Sequence, residues 1–262
     1  RYTEIPYGVP DDPWVTGGGG ARRDARSRFR APTDEPTMVW ETRLRSSRPS
    51  SPLVLGDGEL YVSSSTGVTA LSSDGTIRWT QRLGFVAATP SLTPTRDLVV
   101  GTNAGALVTL STDGRVRART LVGGAVRSSP LVLDDGSVVT TAFDQAVHRF
   151  DAEGRRVFRV SMNAQTNEPV AWTDAGALVV PAADWLHIMS PRGDRLASHT
   201  VGATIIAGPA IAEDGTVWVL AQDGSLHQLR PGRGRRLRTD LGIAVSSNSG
   251  IAVGSDGAVR VP

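Results

Sequence analysis

The stretch SPLVLGDGELYVSSSTGVTALSSDGTIRWTQRL, residues 51–83, holds four short apolar runs separated by three turns. Gly58, Gly67 and Gly75 mark the turns, because glycine accepts the positive φ that a tight turn between strands needs. Apolar runs of this length between turn signals are typical of strands rather than helices. The stretch therefore predicts a sheet of four antiparallel strands, which we name a to d in chain order.

This pattern recurs along the chain with a period of about 39 residues. Each copy has a proline that opens strand a, a large apolar residue that ends strand c, and a turn glycine before strand d. These landmarks are Pro52, Pro90, Pro130, Pro169 and Pro209; Leu71, Leu110, Phe150, Met189 and Leu229; and Gly75, Gly114, Gly154, Gly193 and Gly234. Three landmarks that keep a single period predict five full repeats over about residues 51–245.

Strand b of the later repeats is continuously apolar, as in LVVGT (98–102) and VWVLA (217–221). Such a strand is covered on both faces. A sheet of about 40 residues covered on both faces must stack on copies of itself, and closing the stack into a ring is the usual solution. We therefore expect an all-β fold, a β-propeller of four-stranded antiparallel blades, with six to eight blades in the full protein.

The two ends of the repeat region are unequal. The segment VWETRL (39–44) resembles strand d, and its Trp40 precedes Trp79 by one period. We expect a lone strand d at 37–44 and the first two strands of a partial sixth repeat at 246–262. The propeller domain is thus predicted to span 37–262 and to be incomplete in this chain.

The segment ALSSDGTIRW, residues 70–79, resembles the repeat of the PQQ-like, or quinoprotein-type, β-propellers, which reads roughly G-x-(V/L)-Y-A-L-D-x-x-x-G-x-x-x-W. The later repeats keep the glycine and lose the tryptophan, since Ala118, Phe158, Ala197 and Arg238 stand where Trp79 does. The resemblance covers about residues 37–262. It implies the propeller fold more strongly than any activity.

That family includes quinoprotein dehydrogenases as well as non-enzymatic scaffolds such as the lipoprotein of the outer-membrane β-barrel assembly machinery. The dehydrogenases hold PQQ on the propeller axis with Ca²⁺, a catalytic Asp and often a vicinal disulfide. This sequence has no cysteine, and its recurring Asp-Gly pairs are typical of turns rather than of a Ca²⁺ loop. We expect no catalytic residue, no metal and no cofactor.

Three histidines, His148, His187 and His227, occupy the same strand c position in successive repeats. Equivalent positions in neighbouring blades lie well over about 10 Å apart, whereas zinc ligands lie about 2 Å from the ion. We therefore expect these side chains to pack between blades, with a polar tip, rather than to bind a metal.

The charge composition is unusual but nearly balanced. All 28 basic residues are arginine, against 26 acidic residues, which leaves a net charge of +2. Arginine without lysine is typical of a high-GC bacterial genome. The near-neutral charge does not favour nucleic acid as a partner, and the sequence has no apolar run of 18 residues that could cross a membrane.

Residues 1–36 do not repeat, and they are predicted to form an extended arm rich in proline, glycine and arginine. The four glycines at 17–20 indicate a flexible linker. Aromatic and arginine side chains dominate interface hot spots, so we expect the arm to lie on a partner; packing on its own propeller is the alternative. The predicted partner-binding residues are Tyr2, Tyr7, Trp14, Arg22, Arg23, Arg26, Arg28, Phe29 and Arg30, with a second cluster at Arg233, Arg235 and Arg236.

Taken with the resemblance, these features favour a non-catalytic scaffold or interaction subunit of a bacterial envelope or exported multiprotein assembly, located in the periplasm or on the envelope. Its partners would be other protein subunits, and a lipid anchor in the full chain would be compatible with this role. Two alternatives remain open: a ligand-sensing propeller domain of a larger kinase or membrane-anchored chain, and, least favoured, a PQQ-dependent dehydrogenase.

Overall fold

A computed structural model describes residues 15–25, 35, 37–165, 167–230, 236–242, 250–254 and 257–261. Every regular element in these ranges is a strand, and none of the described residues lies in a helix. The strands are β1 (Leu53–Val54), β2 (Leu60–Ser64), β3 (Gly67–Leu71), β4 (Ile77–Arg82), β5 (Ser91–Leu92), β6 (Leu98–Gly101), β7 (Ala106–Leu110), β8 (Val116–Leu121), β9 (Leu131–Val132), β10 (Val138–Ala142), β11 (Ala146–Phe150), β12 (Arg156–Ser161), β13 (Ala171–Trp172), β14 (Leu178–Ala182), β15 (Trp185–Met189), β16 (Arg195–Thr200), β17 (Ile205–Ile211), β18 (Val217–Ala221), β19 (Ser225–Leu229), β20 (Arg236–Asp240), β21 (Ala252–Val253) and β22 (Val259–Arg260).

The strands form five four-stranded antiparallel sheets, which we call blades 1 to 5, and one two-stranded sheet. In every blade the spatial order follows the chain order, as in β1-β2-β3-β4. Strands β21 and β22 pair antiparallel as the start of a sixth repeat. The predicted all-β fold with four-stranded blades is therefore confirmed.

Burial shows how the blades are arranged. The first three strands of each blade are largely buried, whereas the fourth is mostly exposed, as in β8 and β12. First strands of neighbouring blades contact each other, in the pairs β5 with β9, β13 with β17 and β17 with β21. Strand a is therefore innermost and strand d outermost, which is the radial arrangement of a propeller.

Asp-Gly turns close the blades, as the sequence predicts. In blade 1, Gly75 has a φ of +83°, and the Asp74 carboxylate accepts hydrogen bonds from Ser72 Oγ (2.6 Å) and Thr76 N (3.0 Å). These hydrogen bonds hold the pKa of Asp74 below its usual value. Because the carboxylate is used by its own turn, it serves the fold rather than a cation.

Two of the turn glycines before strand d, Gly75 and Gly114, also contact a tryptophan ring from a neighbouring element. A Cβ on Gly114 would lie 2.7 Å from Trp79 Cδ2, and a Cβ on Gly75 would lie 2.5 Å from Trp40 Cε3. Each indole also donates to a backbone oxygen 2.9 Å away, Trp79 Nε1 to Thr112 O and Trp40 Nε1 to Ser73 O. Trp40 thus docks on blade 1 as Trp79 docks on blade 2.

Residues 37–44 differ from the prediction in one respect. Trp40 has the place of a strand d tryptophan, but the described residues around it form no strand. A strand d needs a strand c beside it for its ladder hydrogen bonds, and the described part of the chain places none there. The segment is held on blade 1 by side chains, including Thr42 Oγ1, which donates to Gly75 O.

Candidate functional site

The arm residues 15–25, which we call the axial segment, lie against the innermost strands of several blades. Its backbone oxygens accept hydrogen bonds from the backbone nitrogens of the inner strands. These bonds are Leu92 N to Val15 O (2.8 Å), Trp172 N to Ala21 O (2.9 Å), Ile211 N to Arg22 O (2.9 Å) and Val253 N to Asp24 O (2.9 Å). They reach blades 2, 4 and 5 and the two-stranded sheet.

This placement follows from the geometry of the inner strands. A first strand pairs only with strand b of its own blade, so its other edge faces the axis with unpaired backbone groups. Buried backbone groups without partners are costly. The axial segment provides acceptors for them, so it belongs to the core of the propeller.

Arg23 is the central side chain of the axial segment and is only 4% exposed. Its guanidinium donates to three backbone oxygens at short distances: Val170 O (2.6 Å), Gly17 O (2.5 Å) and Ser129 O (2.8 Å). Longer contacts reach Pro130 O (3.3 Å) and Thr16 Oγ1 (3.4 Å). A single arginine thus joins blades 3 and 4 and the turn of its own segment.

The four glycines at 17–20 form a tight turn rather than the predicted flexible linker. Thr16 and Gly19 exchange backbone hydrogen bonds, and Gly18 and Gly19 have φ of +84° and +94°. A Cβ on Gly17 would lie 2.5 Å from Ser129 Oγ. Glycine is therefore required here by the backbone conformation and by the closeness of blade 3.

Three polar side chains at or near this turn complete the site. The hydroxyls of Thr16 and Ser91 lie 2.7 Å apart, and Ser91 Oγ donates to Pro130 O at 2.6 Å. Burial raises the pKa of Glu168 to about 8, while the Arg23 charge opposes the rise. The guanidinium of Arg23 therefore lies among backbone oxygens and near a carboxyl group that burial makes hard to ionise.

The structure places the predicted partner-binding residues in different environments. Arg23 is buried against the blades of its own propeller. For this residue the structure therefore shows the alternative prediction, in which the arm packs on its own propeller, and not contact with a partner. Arg22 is partly exposed and forms an ion pair with Asp174 (2.5 Å). Outside the described residues lie Tyr2, Tyr7, Trp14, Arg26, Arg28, Phe29, Arg30, Arg233 and Arg235.

Around the second arginine cluster, the described side chains pair within blade 5. Arg230 Nη2 lies 3.1 Å from Asp214 Oδ2, and Arg238 Nη2 lies 2.9 Å from Asp223 Oδ2. Arg236 begins β20. Gly234, the turn glycine of the fifth repeat, is also outside the described residues.

The three equivalent histidines are buried and use partners within their own blades. His148 Nε2 lies 3.0 Å from Asp144 Oδ1, His187 Nδ1 lies 2.8 Å from Ser198 Oγ, and His227 Nε2 lies 2.8 Å from Ser225 Oγ. Among the described residues, no three histidine, aspartate or glutamate side chains come together as a metal site. The His148 contact holds strand c to the turn before it and the His187 contact holds strand c to strand d, whereas the His227 contact lies within strand c itself.

We expect acid to destabilise the protein partly through His187. Burial lowers the pKa of His187 to about 4, and the Arg195 charge adds to the shift. Between about pH 6.5 and 4 the unfolded chain binds a proton that the folded chain does not, so the free energy of unfolding falls as the pH falls. In urea titrations, a His187→Gln variant should lose about 1 to 2 kcal/mol less than wild type between about pH 7.5 and 5. Equal losses in the two proteins would contradict this role.

The residues on the axis do not fit PQQ. In the dehydrogenases that the repeat resembles, the cofactor lies on the propeller axis. Here the axial segment lies across the inner strands, and the Arg23 guanidinium donates to the backbone oxygens of blades 3 and 4. A planar cofactor in the same place would have to displace Arg23 and break these hydrogen bonds.

Among the described residues, no helix is long and apolar enough to cross a membrane.

Comparison with solved structures supports the propeller fold. BamB from Moraxella catarrhalis matches with a TM-score of 0.65 and 21% identity, over 85% of this chain and 72% of that one. Quinohemoprotein alcohol dehydrogenase from Comamonas testosteroni matches with a TM-score of 0.71 and 16% identity, over 89% of this chain and 50% of that one. A streptogramin B lyase matches with a TM-score of 0.65 and 11% identity, over 84% of each chain. At these identities the likeness shows the fold alone.

Sequence comparison is more specific. No curated protein matches this chain as a relative. A family model described as outer membrane protein assembly factor BamB matches residues 68–240, which is well over half of the chain. The matched region runs from strand c of blade 1 to the end of blade 5, so it covers the repeats themselves. The chain therefore belongs to the family of the outer membrane protein assembly factor BamB.

Proposed function

We propose that this protein is a non-catalytic propeller that binds other protein subunits in a bacterial envelope or exported assembly. The observation that carries the proposal is the axial segment. It places a buried arginine and a glycine turn of the chain itself where the inner strands of the blades converge. The axis of the propeller thus binds the arm of the same chain, and we expect partners to bind the outer surfaces of the propeller.

Family membership supports the envelope location and the interaction role. The family model is named for outer membrane protein assembly, and we propose a periplasmic or envelope-associated site of action for this chain. Its near-neutral charge favours protein partners over nucleic acid. Enzymes are also among proteins of the same fold, so the non-catalytic role rests on the filled axis rather than on the fold.

The arm residues that flank the axial segment are the proposed partner-binding region. Tyr2, Tyr7 and Trp14 precede the segment, whereas Arg26, Arg28, Phe29 and Arg30 follow it. Aromatic and arginine side chains of this kind are enriched at hot spots. Because residues 15–25 belong to the propeller core, deleting the whole arm would damage the fold as well as any interface.

A smaller deletion separates the two effects. We expect a tagged full chain without residues 1–14 to lose its co-purifying subunits from the native host, while its urea unfolding midpoint stays that of wild type. The control is Arg233→Ala combined with Arg235→Ala, which tests the second cluster without changing the arm. If the deletion leaves every subunit bound, residues 1–14 are not the anchor. Substrate turnover by the purified wild-type protein would contradict the non-catalytic role.

A further inference from the structure

We propose that the axis of the propeller is a peptide-binding site and that residues 15–25 occupy it as a bound peptide. The ligand class is a glycine-rich turn followed by an arginine, as in the sequence VTGGGGARRDA at 15–25. In this view the arm is an intramolecular ligand of the blades. This inference goes beyond the scaffold role, because it assigns a site and the chemistry that the site recognises.

The contacts of the axial segment are those of a ligand rather than of a blade strand. Apart from its own turn, its backbone and Arg23 bond to residues far away in sequence, with separations such as 106 residues to Ser129 and 147 to Val170. Its backbone contacts are single hydrogen bonds to several different inner strands. Peptides that bind exposed sheet edges obtain affinity from main-chain hydrogen bonds and specificity from a few side chains.

Two features give the site its specificity. The space at Gly17 is narrow, because a Cβ there would lie 2.5 Å from Ser129 Oγ and 3.3 Å from Ser129 Cβ, so a side chain would have to displace Ser129. The backbone oxygens of Ser129 and Val170 lie in different blades and bond to different guanidinium nitrogens of Arg23, Nη2 and Nε. A lysine ammonium is a point donor on a flexible stem and lacks this fixed fork. The site therefore recognises a glycine and an arginine that lie six positions apart in the bound peptide.

The neighbouring Arg22 offers a matched control. Its side chain points to the partly exposed Asp174, and their ion pair is 2.5 Å long. Arg22 Nε also donates to Asp174 Oδ1 (3.0 Å), but both side chains are partly exposed, so solvent screens the pair and it contributes less than a buried one. Arg22→Ala and Arg23→Ala remove the same number of atoms and the same charge from adjacent positions, but only the second removes a group bonded to the inner strands.

The test is to cleave the chain after the axial segment and to measure whether the N-terminal fragment remains bound to the propeller. A protease site is placed at residues 28–33 of the full chain, the folded protein is cleaved, and size-exclusion chromatography with mass spectrometry follows the N-terminal fragment. We expect the fragment to co-elute with the propeller in a 1:1 complex, with or without Arg22→Ala. With Arg23→Ala we expect it to dissociate, with at least about 100-fold weaker affinity. Separation of the wild-type fragment from a folded propeller would overturn the proposal, and so would equal behaviour of the two variants.

A second measurement keeps the proposal testable if Arg23→Ala prevents folding. A labelled synthetic peptide of residues 15–25 is added in excess to the cleaved wild-type complex. We expect it to replace the resident fragment, whereas a peptide with Arg23→Lys should not. Failure of the native peptide to exchange would overturn the proposal.

Discussion

Replacing Arg23 with alanine is expected to lower the free energy of unfolding by about 3 to 5 kcal/mol, because several backbone oxygens lose their donor at a cost of about 1 to 3 kcal/mol for each one that stays buried. The guanidinium is 4% exposed and donates to backbone oxygens of Gly17, Ser129 and Val170. Alanine would leave these oxygens buried without their donor and would open a cavity between the blades. The loss is measured by urea unfolding of the full chain at neutral pH.

Arg22→Ala is the control for this loss. Its ion pair with Asp174 lies at the surface, so its removal should cost no more than about 1 kcal/mol. Arg23→Lys keeps the positive charge but not the planar fork, and should recover only part of the loss. If Arg23→Ala were as stable as Arg22→Ala, the hydrogen bonds of the Arg23 guanidinium would contribute nothing to the stability of the core.

Gly114→Ala is expected to destabilise blade 2 by about 2 to 4 kcal/mol, because two costs add. The first is backbone strain, since Gly114 has a φ of +87°. The second is a clash, since the new Cβ would lie 2.7 Å from Trp79 Cδ2. The Trp79 indole cannot move freely away from the new Cβ, because its Nε1 is hydrogen-bonded to Thr112 O and its ring packs against Tyr61.

The control for this glycine is Gly215→Ala in blade 5. Gly215 has a similar φ of +78°, but no atom lies within 4 Å of the Cβ position. Only the backbone cost of about 1 kcal/mol should appear there. In a Trp79→Ala background the cost of Gly114→Ala should fall towards that value, because the clash is gone. Equal losses at the two glycines in the wild-type background would show that the indole contact is not restrictive.

Most of the fold was predictable because its causes are local. The strand b predicted at residues 217–221 matches β18, and Gly75 and Gly114 form the turns expected of them. A turn depends on the φ of one residue and on the side chains beside it, so its signal lies within a few positions. The same signal occurs in five repeats with one period, and this recurrence strengthened the prediction of the fold. The absence of a strand at 37–44 was not predictable, because strand formation depends on a neighbour and not on the segment itself.

The candidate site was predictable only in part. The sequence singled out the arginines and glycines of the arm, but it could not distinguish Arg22 from Arg23, which are adjacent and alike. It also indicated a linker at residues 17–20, because a glycine run carries no sign of what will surround it. The nearest available signal was indirect: strands that face an axis have an unpaired edge, and some element must satisfy it.

The sequence by itself determined the repeat, most of the strands within it and the turns between them, since each depends on interactions within about 40 residues. The tertiary structure decided which arm residues are core and which are surface. Convergence of the inner strands brings Ser129 and Val170 next to a segment more than 100 residues earlier in the chain. A buried guanidinium must find acceptors wherever the fold places them, and only the arrangement of the blades determines where that is.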